Sequence, residues 1–423
     1  MGMYPGLQPL SARFRIGESA KYKNMDIPEL EKAVFPEDPE LFARLAFRRG
    51  EGIPWQYRRA CKKPVDKKMV FFESNLGRQW TGNPRYIYER MLERYPDYTY
   101  VWGYDGDPDS VDGNTIVVKR STDEYYEYLA KSHYLVNNTG FPIWFHRTES
   151  FYLQTWHGTP YKSLHWDRKS DHPLRGTSGN FFAKSTGWNA LLAPNAWSKE
   201  RFRTCFRYRG PILDIGYPAN DIFFDTPRYE KVRARMRQEL GIPAESPVYL
   251  YAPTWRDGGL IAGWKFKFDL LLDPEEFMKH VPDDAYLLIR AHHMSDADGK
   301  LVELPNHVID VSGYDDAHEV MCTADVMIAD YSSIAHDWYC SRKPVVYFVP
   351  DLERYMSLRD VYYDMTSKEY RAGEICYNQD ELHKQIESID PFALTSYTEY
   401  YDRFCASNDG HASDRAIDFM LSK

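Results

Sequence analysis

Along this chain, short apolar runs alternate with amphipathic stretches of helical period, and the alternation is interrupted once and then begins again. The runs Met69-Val-Phe-Phe-Glu, Tyr98-Thr-Tyr-Val-Trp, Thr115-Ile-Val-Val, Tyr134-Leu-Val-Asn, Phe151-Tyr-Leu-Gln, Ala190-Leu-Leu-Ala and Ile212-Leu-Asp-Ile predict strands. Between them, Asn83-Pro84 opens one predicted helix with a cap and a first-turn proline. Glu124-Tyr-Tyr-Glu-Tyr-Leu-Ala predicts another. A charged helix from Pro227 to Leu240 follows, stopped by Gly241-Ile-Pro. The pattern then restarts with Val248-Tyr-Leu-Tyr-Ala, Ala285-Tyr-Leu-Leu-Ile-Arg, Val308-Ile-Asp-Val, Val326-Met-Ile-Ala-Asp and Val345-Val-Tyr-Phe-Val. Several of these runs are continuously apolar, as strands covered on both faces must be. Strands separated by helices of ten or more residues imply βαβ units and a mostly parallel sheet. The expected architecture is α/β, with two doubly wound halves facing a cleft. Residues 1–66 read differently, as a helical N-terminal extension with starts at Pro28 and at Asp38-Pro39, interrupted by Gly50, Gly52 and Pro54. The predicted domains are therefore 1–66, 67–225 and 226–423.

In an open parallel sheet, ligands bind beyond the carboxyl ends of the strands, and that is where this chain places its polar residues. The Phe151 strand runs into Trp156-His157-Gly158-Thr159-Pro160-Tyr161-Lys162. A histidine in such a turn can take or give a proton near neutral pH; a loop histidine satisfied by backbone groups is the alternative. In the second half, three strand ends carry Thr254-Trp255-Arg256-Asp257, Arg290-Ala291-His292-His293 and Asp330-Tyr331-Ser332-Ser333. The last leads into a helix. A strand, a Ser-Ser turn and a helix start present free N–H groups and two hydroxyls to an anion. Arg256, Arg290 and His292 would add positive charge from neighbouring strand ends. Ser332 or Ser333 acting as a simple N-cap is the competing reading. Three such ends in one sheet favour a phosphate-bearing ligand.

Composition narrows the field. The 423 residues fit two or three domains. Six scattered cysteines without a C-x-x-C pair read as reduced thiols of a cytosolic protein. No apolar run is long enough for a membrane span or a secretory h-region. The net charge of −9 argues against a general nucleic-acid binder. Residues 44–68, however, hold nine basic side chains against two acidic ones, a local +7, with Phe47, Trp55 and Tyr57 among them. Such a segment suits an anionic membrane surface or a polyanionic acceptor, unless it is a solvated face of its own domain. No G-x-x-x-x-G-K-[ST] loop and no G-x-G-x-x-G after the first strand occur, so neither a P-loop nor a dinucleotide fold is indicated. Asp107-Pro-Asp109 and Asp296-Ala-Asp298 have a D-x-D spacing, but both lie in turn-rich stretches where Asp is common for local reasons. His165, His172 and His292-His293 lack a metal-ligand pattern. No obligatory metal or cofactor is expected.

Taken together and in order, Trp156-His157-Gly158-Thr159-Pro160-Tyr161-Lys162, Pro253-Thr254-Trp255-Arg256, Arg290-Ala291-His292 and Asp330-Tyr331-Ser332-Ser333 resemble the CDP-glycerol:poly(glycerophosphate) glycerophosphotransferases, the teichoic-acid primases and polymerases. Glu73-Ser74-Asn75-Leu76-Gly77 and the late Asp409-Gly410-His411 look like two further parts of that family's pattern, and the resemblance spans roughly residues 68–420. It implies a GT-B fold, two Rossmann-like domains with an acceptor domain first and a CDP-donor domain second. It also implies transfer of glycerol phosphate or ribitol phosphate from a CDP-activated donor to a hydroxyl of a teichoic-acid-like or capsular polymer, releasing CMP. Under it, His157 is the base and His292 lies on the pyrophosphate. Thr254, Arg256, Arg290, Asp330, Ser332 and Ser333 bind the donor or orient its loops, and Gly158, Thr159, Lys162 and Asn220 are further cleft candidates. The implied partners are a CDP-polyol and a polymer or lipid-linked glycan acceptor, met at the inner face of a bacterial membrane. The chain departs from the family at Tyr161, Ala219 and Arg371-Ala-Gly-Glu374. Two other readings use the same architecture: a GT-B glycosyltransferase acting on a nucleotide sugar, and a non-catalytic nucleotide-binding relative.

Overall fold

The computed structural model describes residues 33, 54–142, 145, 147–169, 178–254, 260–261, 265–266, 270–291, 304–396 and 398–423. Apart from Ala33, the predicted N-terminal extension up to residue 53 lies outside them. Contacts divide the chain into two compact units. One comprises Met1–His157, Ser163–Ala219 and His411–Lys423; the other comprises Gly158–Lys162 and Asn220–Gly410.

Among the described residues, the first unit is built on a seven-stranded parallel sheet. Its strands are β1 (Asp66–Glu73), β2 (Thr99–Gly103), β3 (Ile116–Val118), β4 (Ser132–Asn137), β5 (Phe151–Gln154), β6 (Ala190–Ala193) and β7 (Ile212–Asp214), in the order β3-β2-β1-β4-β5-β6-β7. Alternate residues divide between two cores. Phe71, Val101, Leu135, Tyr152 and Leu191 pack on one face with Tyr125 and Leu129 of helix Asp123–Lys131 and Phe202 of helix Ala196–Cys205. Phe72, Trp102, Val136, Leu153 and Leu192 pack on the other, with Ile87 and Met91 of helix Gly82–Arg94 and Ile417 and Met420 of helix Ala412–Leu421. Period-two alternation with both faces covered is why these strands read as unbroken apolar runs. Each buried Leu, Ile or Phe side chain contributes roughly 1.5–3 kcal/mol of transfer free energy. The helix expected to be capped by Asn83 is instead preceded by Thr81. Asn83 is buried in the first turn, where its amide donates to the Trp156 carbonyl (3.1 Å) and its oxygen accepts from Ala219 N (3.1 Å). Tertiary partners have claimed the cap residue.

The second unit repeats the plan. Strands β8 (Val248–Tyr251), β11 (Tyr286–Ile289), β12 (Val308–Asp310), β13 (Val326–Ala329), β14 (Val345–Phe348) and β15 (Glu374–Cys376) form a parallel sheet in the order β12-β11-β8-β13-β14-β15. β9 (Leu260–Ile261) and β10 (Lys265–Phe266) make a separate antiparallel pair. Tyr249, Leu287, Ile289, Val326, Ile328, Val346 and Phe348 share one core. Helix Thr226–Glu239 has Asp225 as its cap and Pro227 in its first turn. It is tied to the sheet through Asp325, whose carboxylate accepts from Arg233 (2.7 Å), Arg237 (2.8 Å) and Lys343 (3.2 Å).

Both sheets have the doubly wound order in which the chain runs outward from a central strand and then returns to its other side. The reversal lies between β1 and β4 in the first unit and between β8 and β13 in the second. Ligands bind beyond the strand ends at such reversals.

Candidate active site

In the first unit the reversal brings together the ends of β1 and β4, with β5 alongside. Glu73 pairs with Asn137, and Asn137 with Gln154, so the three ends are level. Beyond Gln154 the chain turns through Trp156, which has a left-handed φ of 55°. Such a conformation costs a non-glycine residue roughly 1–2 kcal/mol, and the buried indole offsets it by packing edge-on against Phe206 at 4.7 Å and Phe202 at 6.0 Å. The Trp156 N–H is also held by Gln154 Oε1 (2.9 Å). The turn carries His157 outward, partly open to solvent and partly covered at Nδ1. Its ring stacks on the indole at 4.3 Å and 27°. Nδ1 lies 2.7 Å from the Asn138 carbonyl. A carbonyl can only accept, so Nδ1 carries the hydrogen and Nε2 is left as the proton acceptor. Desolvation by the surrounding protein holds the pKa of His157 below the ordinary histidine value, with the Asn138 carbonyl opposing. At neutral pH the imidazole is therefore neutral and basic at Nε2. The other histidine of this region, His165, is buried against Phe181 (3.7 Å) and Phe206 (5.3 Å), and burial drives its pKa well down.

In the second unit the reversal joins the ends of β8 and β13 directly. Asp330, buried just past β13, accepts from Thr254 N at 2.8 and 3.0 Å and from Thr254 Oγ1 at 2.8 Å. Its geometry is that of a residue orienting the Pro253-Thr254 loop. Ser332 and Ser333 follow at the start of the short helix Ile334–Trp338, both partly exposed. Ser333 makes no capping hydrogen bond, and Ser332 Oγ lies 3.4 Å from Ile334 N. The capping role thus leaves the Ser333 hydroxyl uncommitted to the helix. Gly158 packs on this loop. Its φ is 151°, and a Cβ there would meet Ser333 Oγ at 2.8 Å and Ser333 Cβ at 3.2 Å. Gly158, the residue after His157, is thus in contact with the Ser-Ser turn within the second unit. Tyr161 and Lys162 continue along the unit. The Tyr161 ring meets Tyr363 edge-on at 4.9 Å, its carbonyl accepts from Tyr362 N, and Lys162 pairs with Val361 in an isolated bridge. A pocket beside Asp330 is lined by Tyr161, Ser332, His336, Tyr363, Tyr370 and Arg371.

The sequence-selected residues do not all have the same standing. Thr159 is buried beside Gly158 in the loop. Arg290 spends its guanidinium on the carbonyls of Val311 (3.0 Å), Tyr314 (2.7 Å) and Asp315 (3.4 Å), which fixes the loop after β12. Asn220 is fully engaged in a buried network, donating to Asp337 (3.2 Å) and Asn408 (3.2 Å) and bonding His318 Nε2 (2.9 Å). Arg256 and His292, with Asp257, His172, His293, Asp296 and Asp298, lie outside the described residues. Asp107 acts as a local cap, accepting from Asp109 N at 3.0 Å. Among the described residues, no group of three or more His, Cys, Asp or Glu side chains is placed to hold a metal ion. The cysteines are thiols rather than half-cystines. No helix among the described residues is long and apolar enough to cross a membrane. Asn137, Asn138 and the pocket residues Tyr363 and Tyr370 were not singled out from sequence. The polar string Asn137-Asn138-Thr139-Gly140 directly after a predicted strand was the available signal.

Residues 55–422 match the CDP-Glycerol:Poly(glycerophosphate) glycerophosphotransferase family. The chain belongs to that family. It is 34% identical over 369 residues to the teichoic acid poly(glycerol phosphate) polymerase of Staphylococcus epidermidis, covering 84% of this chain and 51% of that one. The Bacillus spizizenii protein of the same name is 31% identical over 370 residues, covering 85% and 93%. The chain thus spans about half the length of the Staphylococcus relative and nearly all of the Bacillus one. The solved structure of the wall teichoic acid polymerase TagF superposes with a TM-score of 0.77 at 29% identity, covering 97% of this chain and 98% of that one. By contrast, the teichoic acid poly(ribitol-phosphate) polymerase of Bacillus spizizenii is 22% identical over 367 residues. As in other members of the glycerophosphotransferase family, the fold is GT-B-like, with two parallel α/β sheets.

Proposed function

We propose that this glycerophosphotransferase-family chain moves glycerol phosphate from CDP-glycerol to a terminal hydroxyl of a polyol-phosphate polymer. His157 Nε2 takes the proton of the acceptor hydroxyl while Nδ1–H stays on the Asn138 carbonyl. The acceptor oxygen forms a bond to the β-phosphorus, the bond from that phosphorus to the CMP oxygen breaks, and CMP leaves with the electron pair. Charge on the leaving phosphate is met by the Ser332 and Ser333 hydroxyls and, following the family resemblance, by Arg256 and His292. Thr254, held by Asp330, completes that side of the donor site. The observation that carries this reading is the packing of Gly158, one residue beyond the base, on Ser333 of the anion-binding turn. Glycerol rather than ribitol is favoured by the higher identity to proteins named for glycerol phosphate.

The test is CMP release from the purified chain given CDP-glycerol, CDP-ribitol or a UDP-sugar with an oligomeric glycerol-phosphate acceptor. CDP-glycerol should be used best, and His157→Ala should lower kcat by about a hundred- to ten-thousandfold, the range for loss of a general base. Turnover with the UDP-sugar alone would transfer the site to a sugar-transferring GT-B enzyme.

The acceptor is proposed to be met at an anionic membrane face. Helix Trp55–Ala60 buries Tyr57 and Ala60 and leaves Trp55 63% exposed, with Arg58, Arg59, Lys62 and Lys63 exposed around it. Reversing those four charges should weaken binding to anionic vesicles, most visibly at low salt; unchanged binding would make the patch an ordinary solvated face.

A further inference from the structure

We infer that Asn137 is a positioning residue for His157, acting through the single peptide group that joins Asn138 to Thr139. That group has two hydrogen-bonding ends. Its carbonyl, on Asn138, meets His157 Nδ1 at 2.7 Å. Its N–H, on Thr139, donates to Asn137 Oδ1 at 2.6 Å. The C=O and N–H of one planar peptide point in opposite directions, so fixing the N–H end fixes where the carbonyl points. The inference rests on the reading of His157 as the base.

The Asn137 side chain has no freedom to turn over. Its Nδ2 donates to Glu73 Oε1 at 2.9 Å, and both residues are fully buried. A flipped amide would set its oxygen against the carboxyl oxygen and its NH2 against the Thr139 N–H. Glu73 is itself anchored by the Tyr125 hydroxyl at 2.7 Å and by Arg120. The flanks of the turn are clamped as well. Asn138 Oδ1 accepts from Asn75 N at 2.8 Å, and Thr139 Oγ1 from Leu76 N at 3.2 Å. The Asn137 carbonyl accepts from Thr155 N at 2.9 Å, two residues before the histidine. The path from Glu73 to the imidazole is thus carboxyl, amide, peptide, ring. Each donor along it polarises the next, and its end point keeps the hydrogen on Nδ1 and the lone pair on Nε2. The orientation of a histidine is commonly set by the partner on its other nitrogen. Here that partner is a carbonyl, and the carbonyl is aimed by a buried amide.

The experiment uses the full chain with 15N-labelled histidine. In the unsubstituted protein at pH 8 the His157 resonances, assigned by their loss in His157→Ala, should report the Nδ1–H tautomer. In Asn137→Ala they should move toward a tautomer mixture. The kcat for CMP release should fall by about 10- to 100-fold, as when outer-shell partners of a functional imidazole are removed, with the KM for CDP-glycerol held within about twofold. Asn137→Asp sets two carboxyl groups side by side and should be impaired. Adding Glu73→Gln takes away one of the two facing carboxyl charges and should recover about tenfold over that single change. The paired exchange also covers an Asn137→Ala protein that fails to fold. An unchanged tautomer in a folded Asn137→Ala protein, or no recovery in the exchange, overturns the inference. If His157→Ala turns over normally, the base reading fails while the tautomer still reports whether Asn137 sets the ring.

Discussion

At the scale of single residues, two atoms of the Trp-His-Gly turn carry separate consequences. As the proposed base, His157 must be neutral to accept a proton. Its pKa lies below the ordinary 6.5, because desolvation disfavours the imidazolium more than the Asn138 carbonyl favours it. The acid limb of kcat against pH should therefore fall below pH 6.5, with activity level from there toward pH 8, and an acid limb above 6.5 would mean that the Asn138 carbonyl outweighs desolvation at the ring. Gly158 is bound by a different constraint. Its φ of 151° is hostile to a side chain, and an added methyl would strike Ser333 at both Oγ and Cβ. Rotating the hydroxyl relieves only the first contact. Gly158→Ala should cost about 1–3 kcal/mol in urea unfolding and lower kcat/KM by about a hundredfold through displacement of the turn. Ser333→Gly in the same chain should return part of the stability, since it removes both clashing atoms. The histidine and its motif were legible in the sequence because a titratable residue followed by Gly and Pro ends a strand visibly. The Asn138 carbonyl was not, because a main-chain acceptor has no letter.

At the scale of elements, the apolar runs predicted nearly every strand, since strands covered on both faces must be apolar along their whole length. β15 escaped because Glu374-Ile-Cys376 is a short edge strand with an exposed first residue. The start of helix Gly82–Arg94 was misplaced for the opposite reason, a good capping residue drawn into tertiary bonds. Helix Thr226–Glu239 illustrates what periodicity alone cannot give. Its amphipathic pattern is weak, and charge attaches it to the sheet. Arg233 and Arg237 reach Asp325 at the foot of β13, and Lys343, from the loop before β14, joins them. Asp325 is almost fully buried, and Lys343 is so desolvated that its pKa falls to about 8. Three cations share one carboxylate. Asp325→Asn keeps the shape and removes the charge that the three share. Breaking a buried pair in this way costs about 3–5 kcal/mol, so the urea midpoint should drop steeply. A shift under 1 kcal/mol would mean that the carbonyls of Cys322, Thr323 and Ala324, which also accept from Arg233, hold the helix unaided.

At the scale of the whole chain, two doubly wound units were legible as a repeated texture, but their membership was not. Gly158–Lys162 belongs with the second unit and helix Ala412–Leu421 with the first. Both exchanges depend on long-range contacts such as Gly158 with Ser333, and Asp414 with Arg90 (2.8 Å) and Arg94 (2.7 Å). What the units share is a buried histidine that burial keeps neutral. His165 in the first is held well below the usual pKa, and His336 in the second falls to about 4, with the Ser333 carbonyl opposing. His336 is 5% exposed and its Nε2 meets the Tyr363 hydroxyl at 3.0 Å. Its pKa is lower folded than unfolded, so between these values the unfolded chain binds the extra proton and stability rises with pH. The stabilisation is complete above the unfolded value of 6.5 and is lost as pH falls toward 4. A displacement from 6.5 to about 4 corresponds to roughly 3 kcal/mol from this one group. Urea unfolding at pH 7 and pH 4.5 should show the second unit weakening in acid, and His336→Gln, which cannot gain the proton, should flatten that dependence whatever it costs at pH 7. An equally steep loss in the variant would assign the acid lability to the carboxylates, such as Asp325, whose protonation breaks the cation cluster.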